Sequence, residues 1–274
     1  MTGPDDVPVF ALRGVSLSRS ERALVDDVSL DVHAGEVLAV MGENGAGKST
    51  LLGIMAGDHR PDRGTVLLAG RPLSQWTVLE QARRRAVMPQ QSSMSFAFTA
   101  LEVVLLGRSP HDAGQPGERD RGIAREALRR TDALQFAERS YPTLSGGERA
   151  RVMLARAFAQ VLRDPDERWT AVSRALLLDE PFAALDIAHQ HAAFRAIREL
   201  AVAEHVAVVA VLHDPNLVAI HADRVALMKH GALMTVGGID ETLTEDAMSA
   251  CFSIRMKRLR HPTRDVPLLV ATTD

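Results

Sequence analysis

The stretch Val37 to Ala56, VLAVMGENGAGKSTLLGIMA, leaves the chain few choices of fold. Val37 to Met41 is a short apolar run of the kind that forms a buried strand. Gly42 to Lys48 satisfies GxxxxGK with Ser49 next, and Thr50 onward carries helical spacing. Strand, glycine loop and helix in that order make a phosphate-binding loop. Gly42, Gly45 and Gly47 let the backbone curl so that consecutive N–H groups, those of Glu43, Asn44 and Ala46 included, converge on one anion, and the helix start adds its positive dipole end. Lys48 then supplies a point charge to the β- and γ-phosphates of a nucleotide, and the Ser49 hydroxyl can ligand Mg²⁺, with Thr50 beside it.

Composition bounds the rest. A chain of 274 residues that is 46% hydrophobic can bury a sizeable core as one large domain or two lobes. A net charge of −3 gives no general electrostatics for nucleic acid, so no nucleic-acid partner is expected. The single cysteine, Cys251, excludes an internal disulfide and fits a reducing compartment. The longest apolar run, Val206 to Leu212, is far short of the ~20 residues of a spanning helix, and the N-terminus lacks a basic-then-apolar signal. A protein that neither crosses a membrane nor is exported by that route is expected.

In chain order, Val9 to Leu17 and Ala23 to Val32 alternate like strands of a small antiparallel layer around a polar turn, Ser18 to Arg22. Arg60 to Gly70 reads as a hairpin about Asp62, Arg63 and Gly64, and Leu79 to Arg85 as a helix leading to a strand, Ala86 to Pro89. From about residue 91 to 160 the pattern turns helical: Thr99 and Glu102 form a capping box ahead of Val103 to Leu106, and a polar loop, Ser109 to Glu118, precedes a helix over Gly122 to Phe136. This is read as a helical lobe inserted into a nucleotide-binding core. The tail, residues 255–274, is basic and then apolar and is expected to form a hairpin.

Leu144 to Glu148, LSGGE, leads into a helix ending near Leu162. Ser145 and Glu148 make a capping box there, but that does not explain Gly146 and Gly147, each costing a helix ~1 kcal/mol relative to alanine. Bare N–H groups at a helix start suit a phosphate. Downstream, Ala175 to Pro181 is an apolar strand ending in two carboxylates: Asp179 suits Mg²⁺ through water and Glu180 suits polarising an attacking water. Asp186 reads as a helix N-cap. Val206 to Leu212 is a buried strand ending at His213, with Asp214 as N-cap and Pro215 at the first helical position. A histidine at the carboxyl end of a central parallel strand lies where ligands bind.

Together these residues resemble the ATP-binding-cassette ATPases over roughly Val9 to Phe252. The resemblance rests on GENGAGKST at Gly42 to Thr50, Gln90 after its strand, LSGGE at Leu144 to Glu148, LLLDEP at Leu176 to Pro181, AALD at Ala183 to Asp186, and His213. LSGGE separates this family from other phosphate-loop proteins. It implies an α/β fold: a RecA-like core with an antiparallel β subdomain and the inserted helical subdomain, one ATPase domain over residues 1–254. It also implies a head-to-tail dimer of two copies with ATP and Mg²⁺ between the Lys48 loop of one and Ser145, Gly146 and Gly147 of the other. In the family's mechanism Glu180 orients and deprotonates water, His213 contacts the γ-phosphate, Gln90 senses γ-phosphate and Mg²⁺, and Asp186 contacts the opposite subunit. Where the family stacks adenine on an aromatic, this chain places Arg19, whose guanidinium plane can also stack on a base.

Two function classes remain: the motor subunit of a membrane transporter, peripheral on the cytoplasmic face of the inner membrane with two transmembrane permease subunits, and a soluble cassette ATPase. One cassette filling the chain favours the first. Met94, Phe96 and Phe98 fall where the family forms a groove for a permease helix. FTALEVVLLGRSPH at Phe98 to His111 is similar to importers of ferric siderophores, cobalamin and haem, LDIAHQH at Leu185 to His191 to the iron-related members, and the long connection Arg163 to Arg174 to the haem-import ATPases. Haem import, served indirectly by a haem-binding protein, is the resulting expectation, with siderophore or cobalamin import next. His189 and His191 point to different sides of a helix and are not expected to ligate haem or metal.

Overall fold

Strands that are apolar on both faces build the centre of the molecule, as expected of a parallel sheet covered on both sides. In the computed structural model, which describes residues 7–20, 22–90, 97–111, 116–163 and 173–272, the main sheet runs β10-β9-β3-β8-β7-β6. Its strands are β3 (Val37–Gly42), β6 (Arg85–Met88), β7 (Arg174–Asp179), β8 (Val206–Val211), β9 (Arg224–Lys229) and β10 (Ala232–Gly238). All neighbours pair in parallel except β9 and β10. Alternation divides β3 between two cores. Val37, Ala39 and Met41 pack with helices α5 (Gly146–Val161), α6 (Ile187–Glu204) and α7 (Pro215–His221). Leu38 and Val40 pack with α1 (Lys48–Ala56) and the second sheet.

That second sheet is antiparallel, in the order β2-β1-β4-β5, with β1 (Phe10–Arg19), β2 (Arg22–Val32), β4 (Arg63–Leu68) and β5 (Arg71–Pro72). The first two strands match the sequence reading, but the hairpin expected about Asp62 to Gly64 is corrected. Arg63 already pairs with Ser16 of β1, and the β4 to β5 turn lies at Ala69 and Gly70. Gly64 is needed for close approach: its φ is 78° and a Cβ there would sit 2.3 Å from the Gly14 carbonyl oxygen.

Between β6 and β7 the described chain runs as α3 (Ala100–Leu105), α4 (Glu118–Arg130) and α5. The Thr99 and Glu102 capping box opens α3, and α2 (Val78–Arg84) before β6 carries its own, Thr77 with Glu80. The helix expected over Gly122 to Phe136 is also corrected. It begins at Glu118, with Glu118 and Asp120 in its first turn, and ends at Arg130; Asp132 then takes φ 53°, and Leu134 to Phe136 form a separate short turn. Met94, Phe96 and residues 164–172 of the long connection lie outside the described residues.

After β10 come α8 (Ile239–Thr242), α9 (Glu245–Phe252) and a two-stranded hairpin, β11 (Met256–Arg260) with β12 (Pro267–Ala271). Met256 and Leu269 on its inner face join the core, whereas Leu259 faces out. Cys251 is buried with a free thiol. Among the described residues no helix is long and apolar enough to cross a membrane.

Candidate functional site

The loop between β3 and α1 is shaped by glycines that no other residue can replace. Gly42 has φ 151°, and a Cβ on it would lie 2.1 Å from the Met228 carbonyl oxygen of β9; Gly47 has φ 99° and would meet the Leu24 carbonyl oxygen of β2 at 2.2 Å. The loop is thus clamped between both sheets, and the Gly231 N–H donates to the Ala46 carbonyl at 3.0 Å to close it. Helices α2, α3, α5, α6 and α7 each begin with a side-chain cap; α1 begins at Gly47 with none. Its first N–H groups are therefore presented to an anion.

Lys48 is buried, and its Nζ donates to the Gly42 carbonyl at 2.8 Å and the Glu43 carbonyl at 2.9 Å. Two of three ammonium donors are used, leaving one for a phosphate. Burial lowers its pKa, while the charges of Glu180 and Asp179 act to raise it. The Ser49 hydroxyl donates to Asp179 Oδ1 at 3.1 Å, joining the loop to the end of β7. Burial raises the Asp179 carboxyl above the usual carboxylate range, with the Ser49 hydrogen bond opposing it. A half-buried carboxylate beside a hydroxyl, both oxygen donors, fits Mg²⁺, which takes one or two protein ligands and completes its shell with water and phosphate.

Glu180 follows β7 directly and has φ 48°, an uncommon conformation for a non-glycine residue that turns its carboxylate out of the strand line and over the loop. There it is held on both oxygens: His213 Nε2 lies 2.7 Å from Oε1, and Gln90 Nε2 donates to Oε2 at 2.7 Å. Burial pushes its pKa up, but the His213 and Gln90 hydrogen bonds and neighbouring positive charge outweigh it, so the carboxyl titrates below its ordinary value. His213 comes from the end of β8 and Gln90 from the end of β6, flanking β7 in the sheet. The three side chains meet at the carboxyl edge, where ligands of open α/β sheets bind.

A cleft of about 600 Å³ gathers these groups, with Asn44, Gly45, Gly47, Lys48, Ser49, Thr50, Gln90, Glu180 and His213 in its wall. Arg22 and Leu24 of β2 form the remaining side. Arg19 pairs with Arg22 across the hairpin end but does not line the cleft. Arg22, which the sequence does not single out, lines the cleft through its position beside Gly45, and that depends on how the loop passes the antiparallel sheet.

Ser145, Gly146, Gly147 and Asp186 do not line this cleft either. Ser145 caps α5 by accepting from the Glu148 N–H at 3.3 Å, so its own hydroxyl proton stays available to a phosphate. The two glycines differ. A Cβ on Gly147 would lie 3.3 Å from the Ala184 carbonyl, tighter than ordinary contact, whereas one on Gly146 would meet Ala184 Cβ at 3.7 Å. Asp186 caps α6, accepting from the His189 N–H at 2.9 Å and pairing with His189 Nδ1 at 2.7 Å.

The ABC transporter family model matches residues 25–183. The hemin import ATP-binding protein HmuV of Gloeobacter violaceus is 49% identical over 257 residues, 94% of this chain and 92% of the relative. That of Myxococcus xanthus is 45% identical over 259 residues, 94% and 95% of the two chains. Among solved structures, a chain of an inward-facing ABC transporter of metal-chelate type superposes with TM-score 0.81 at 27% identity, covering 97% of this chain and 98% of that one. A dimeric bacterial ABC transporter cassette gives TM-score 0.71 at 27% identity, covering 84% and 98%. The chain belongs to the ABC transporter family, among its ATP-binding proteins.

Proposed function

We propose that this chain is the ATP-hydrolysing subunit of an ABC importer whose cargo is haem. The observation that carries the ATPase part is the Glu180 carboxylate, held on one oxygen by His213 and on the other by Gln90, beside the Ser49 and Asp179 pair and the phosphate loop. Lys48 and the loop N–H groups hold the β- and γ-phosphates. Ser49 and Asp179, with Gln90 alongside, would hold Mg²⁺, which when bound would neutralise charge developing on the phosphates. Glu180 orients a water against the γ-phosphorus and takes its proton; the new oxygen–phosphorus bond forms as the bond to the ADP oxygen breaks. A carboxyl that titrates low stays ionised at neutral pH, so it serves first by positioning and second as a base. With a nucleotide in the cleft, the His213 Nε2 proton would be shared between Glu180 Oε1 and a γ-phosphate oxygen as charge builds there. Arg22 lines the cleft beside Gly45 and offers a guanidinium plane on which a base could stack, as Arg19 does at the same hairpin end.

Ser145, Gly146, Gly147 and Asp186 act on the nucleotide held by a second copy, in keeping with their absence from the cleft of a single chain and with the dimeric cassettes among the solved relatives. In this reading one domain spans residues 1–254 with the helical insertion at about 91–160. The dimer sits on two permease subunits at the cytoplasmic face of the membrane, fed by a haem-binding protein. Haem as cargo rests on the hemin importers that align at 41–49% identity over at least 93% of this chain. The metal-chelate transporter among the structural relatives supports ferric-chelate import as the second reading. Growth and iron uptake of the source organism lacking this chain, on haemin or on a ferric siderophore, separate them. Loss on haemin alone, restored by wild type and not by Glu180→Gln, supports haem; loss on the siderophore with haemin growth intact moves the cargo to ferric chelates.

A further inference from the structure

Helix α7 is seven residues long, about 10 Å, and carries His213 just ahead of its first turn. Upstream the histidine is anchored just past the end of β8, where the Leu212 N–H donates to the Val40 carbonyl at 3.1 Å. Downstream the anchor is α7 itself, whose first turn is closed by Asp214 Oδ1 accepting from the N–H groups of Asn216 at 2.8 Å and Leu217 at 3.2 Å. The far end of α7 is fixed to α6 by His221 Nε2 against His191 Nδ1 at 2.9 Å. The near end is fixed by the last strand of the chain. Asn216 Nδ2 donates to the Leu269 carbonyl at 3.1 Å, and the Leu269 N–H donates to Asn216 Oδ1 at 2.7 Å. One side-chain amide thus pairs with both backbone groups of one β12 residue, as a neighbouring strand would.

Leu217 and Val218 also bury α7 against the core, but apolar contact has no preferred direction. The amide pair is directional on both atoms and lies three residues from His213. With it cut, the His221 end of α7 keeps its directional tie, while the end that carries His213 keeps only the apolar contacts of Leu217 and Val218 and the Leu212 bond to β3.

We propose that Asn216 is a positioning residue for ATP hydrolysis: its amide clasp on Leu269 uses the C-terminal hairpin to hold His213 on Glu180. The proposal rests on the hydrolytic role of His213 given above. Misplacement of a reacting group by about 1 Å costs on the order of a hundredfold in rate, so a loosened His213 lowers kcat while the phosphate loop, clamped elsewhere, keeps KM for ATP nearly unchanged.

A double-mutant cycle on the full chain tests this, with phosphate release measured for wild type, Asn216→Ala, His213→Ala and the double variant. The expected result is a kcat at least about tenfold lower in Asn216→Ala, KM for ATP unchanged within about twofold, and no further loss when Asn216→Ala is added to His213→Ala. Asn216→Asp, which keeps the acceptor for the Leu269 N–H, should recover part of the rate, and Tm of Asn216→Ala within a few degrees of wild type separates lost positioning from lost fold. Independent, multiplying losses in the cycle, or wild-type kcat in Asn216→Ala, would overturn the proposal with the role of His213 intact. An unaffected His213→Ala would instead remove the reading on which it rests.

Discussion

Ser49 and Asp179, 130 residues apart in sequence, meet at 3.1 Å where the phosphate loop abuts the end of β7. This contact unites the two acidic and basic halves of the site: Lys48 and the loop glycines belong to the β3 to α1 turn, and Asp179 and Glu180 to the end of β7. It forms because β3 and β7 both flank β8 and point the same way, so their carboxyl ends emerge together.

Removing the Lys48 ammonium deletes a charge-assisted contact whose loss typically costs about 1.5–3 kcal/mol. Lys48→Ala is therefore expected to weaken ATP binding by roughly 10- to 100-fold, measured by titration calorimetry. Lys48→Arg should not restore it, because the carbonyls of Gly42 and Glu43 form a compact cage for a point charge and not for a planar fork. Unchanged affinity in Lys48→Ala would remove the lysine from the nucleotide.

Gly146 and Gly147 separate fold from function. Gly146→Ala places a Cβ in ordinary contact with Ala184 and gains helix propensity of up to about 1 kcal/mol. It should leave Tm equal or higher while lowering ATP hydrolysis if, as proposed above, a methyl group there stands over N–H groups that meet a partner's phosphate. At Gly147 the tight approach of the Ala184 carbonyl offsets the propensity gain, so Gly147→Ala should not raise Tm. A Gly146→Ala variant that is both more stable and fully active would contradict the trans-acting role.

His221 makes stability depend on acid. Burial lowers its pKa to about 4, with the positive charges of His191, Arg264, Arg195 and Arg198 adding to the effect, and its ring stacks on Phe194 at 5.1 Å. The folded chain binds this proton less readily than the unfolded chain does. Its contribution is complete above pH ~6.5 and is lost as pH falls from there towards about 4, an amount on the order of 3 kcal/mol. Denaturant unfolding across that window should show wild type losing more stability than His221→Gln. Parallel curves would exclude His221 as the source.

Most of the site was legible because its residues are demanded by local chemistry. GxxxxGK, the carboxylate pair after LLL, and the capping boxes at Thr99 and Ser145 are read within a few residues of themselves, and the structure has them in those places. What escaped depends on third elements. Gly64 looked like a turn residue because nothing in the sequence says that β1 passes 2.3 Å from where its Cβ would be. Arg19 and Arg22 occupy one hairpin end, and only the path of Gly45 past it brings Arg22 to the wall of the cleft. The alternation in β1 and β2 is read from the sequence, but the register shifts between them are not, because they depend on how the two strands pair. Asn216 offered no signal at all, since its partner is a backbone group 53 residues away.

The most direct test of the account is a comparison of wild type with Glu180→Gln for ATP binding and phosphate release on the same preparation, with dimer formation followed by light scattering. Glu180→Gln is expected to bind ATP with near wild-type affinity, to release phosphate at least about a hundredfold more slowly, and to accumulate as an ATP-bound dimer. Phosphate release at the wild-type rate would show that the carboxylate held between His213 and Gln90 is not the group that activates water.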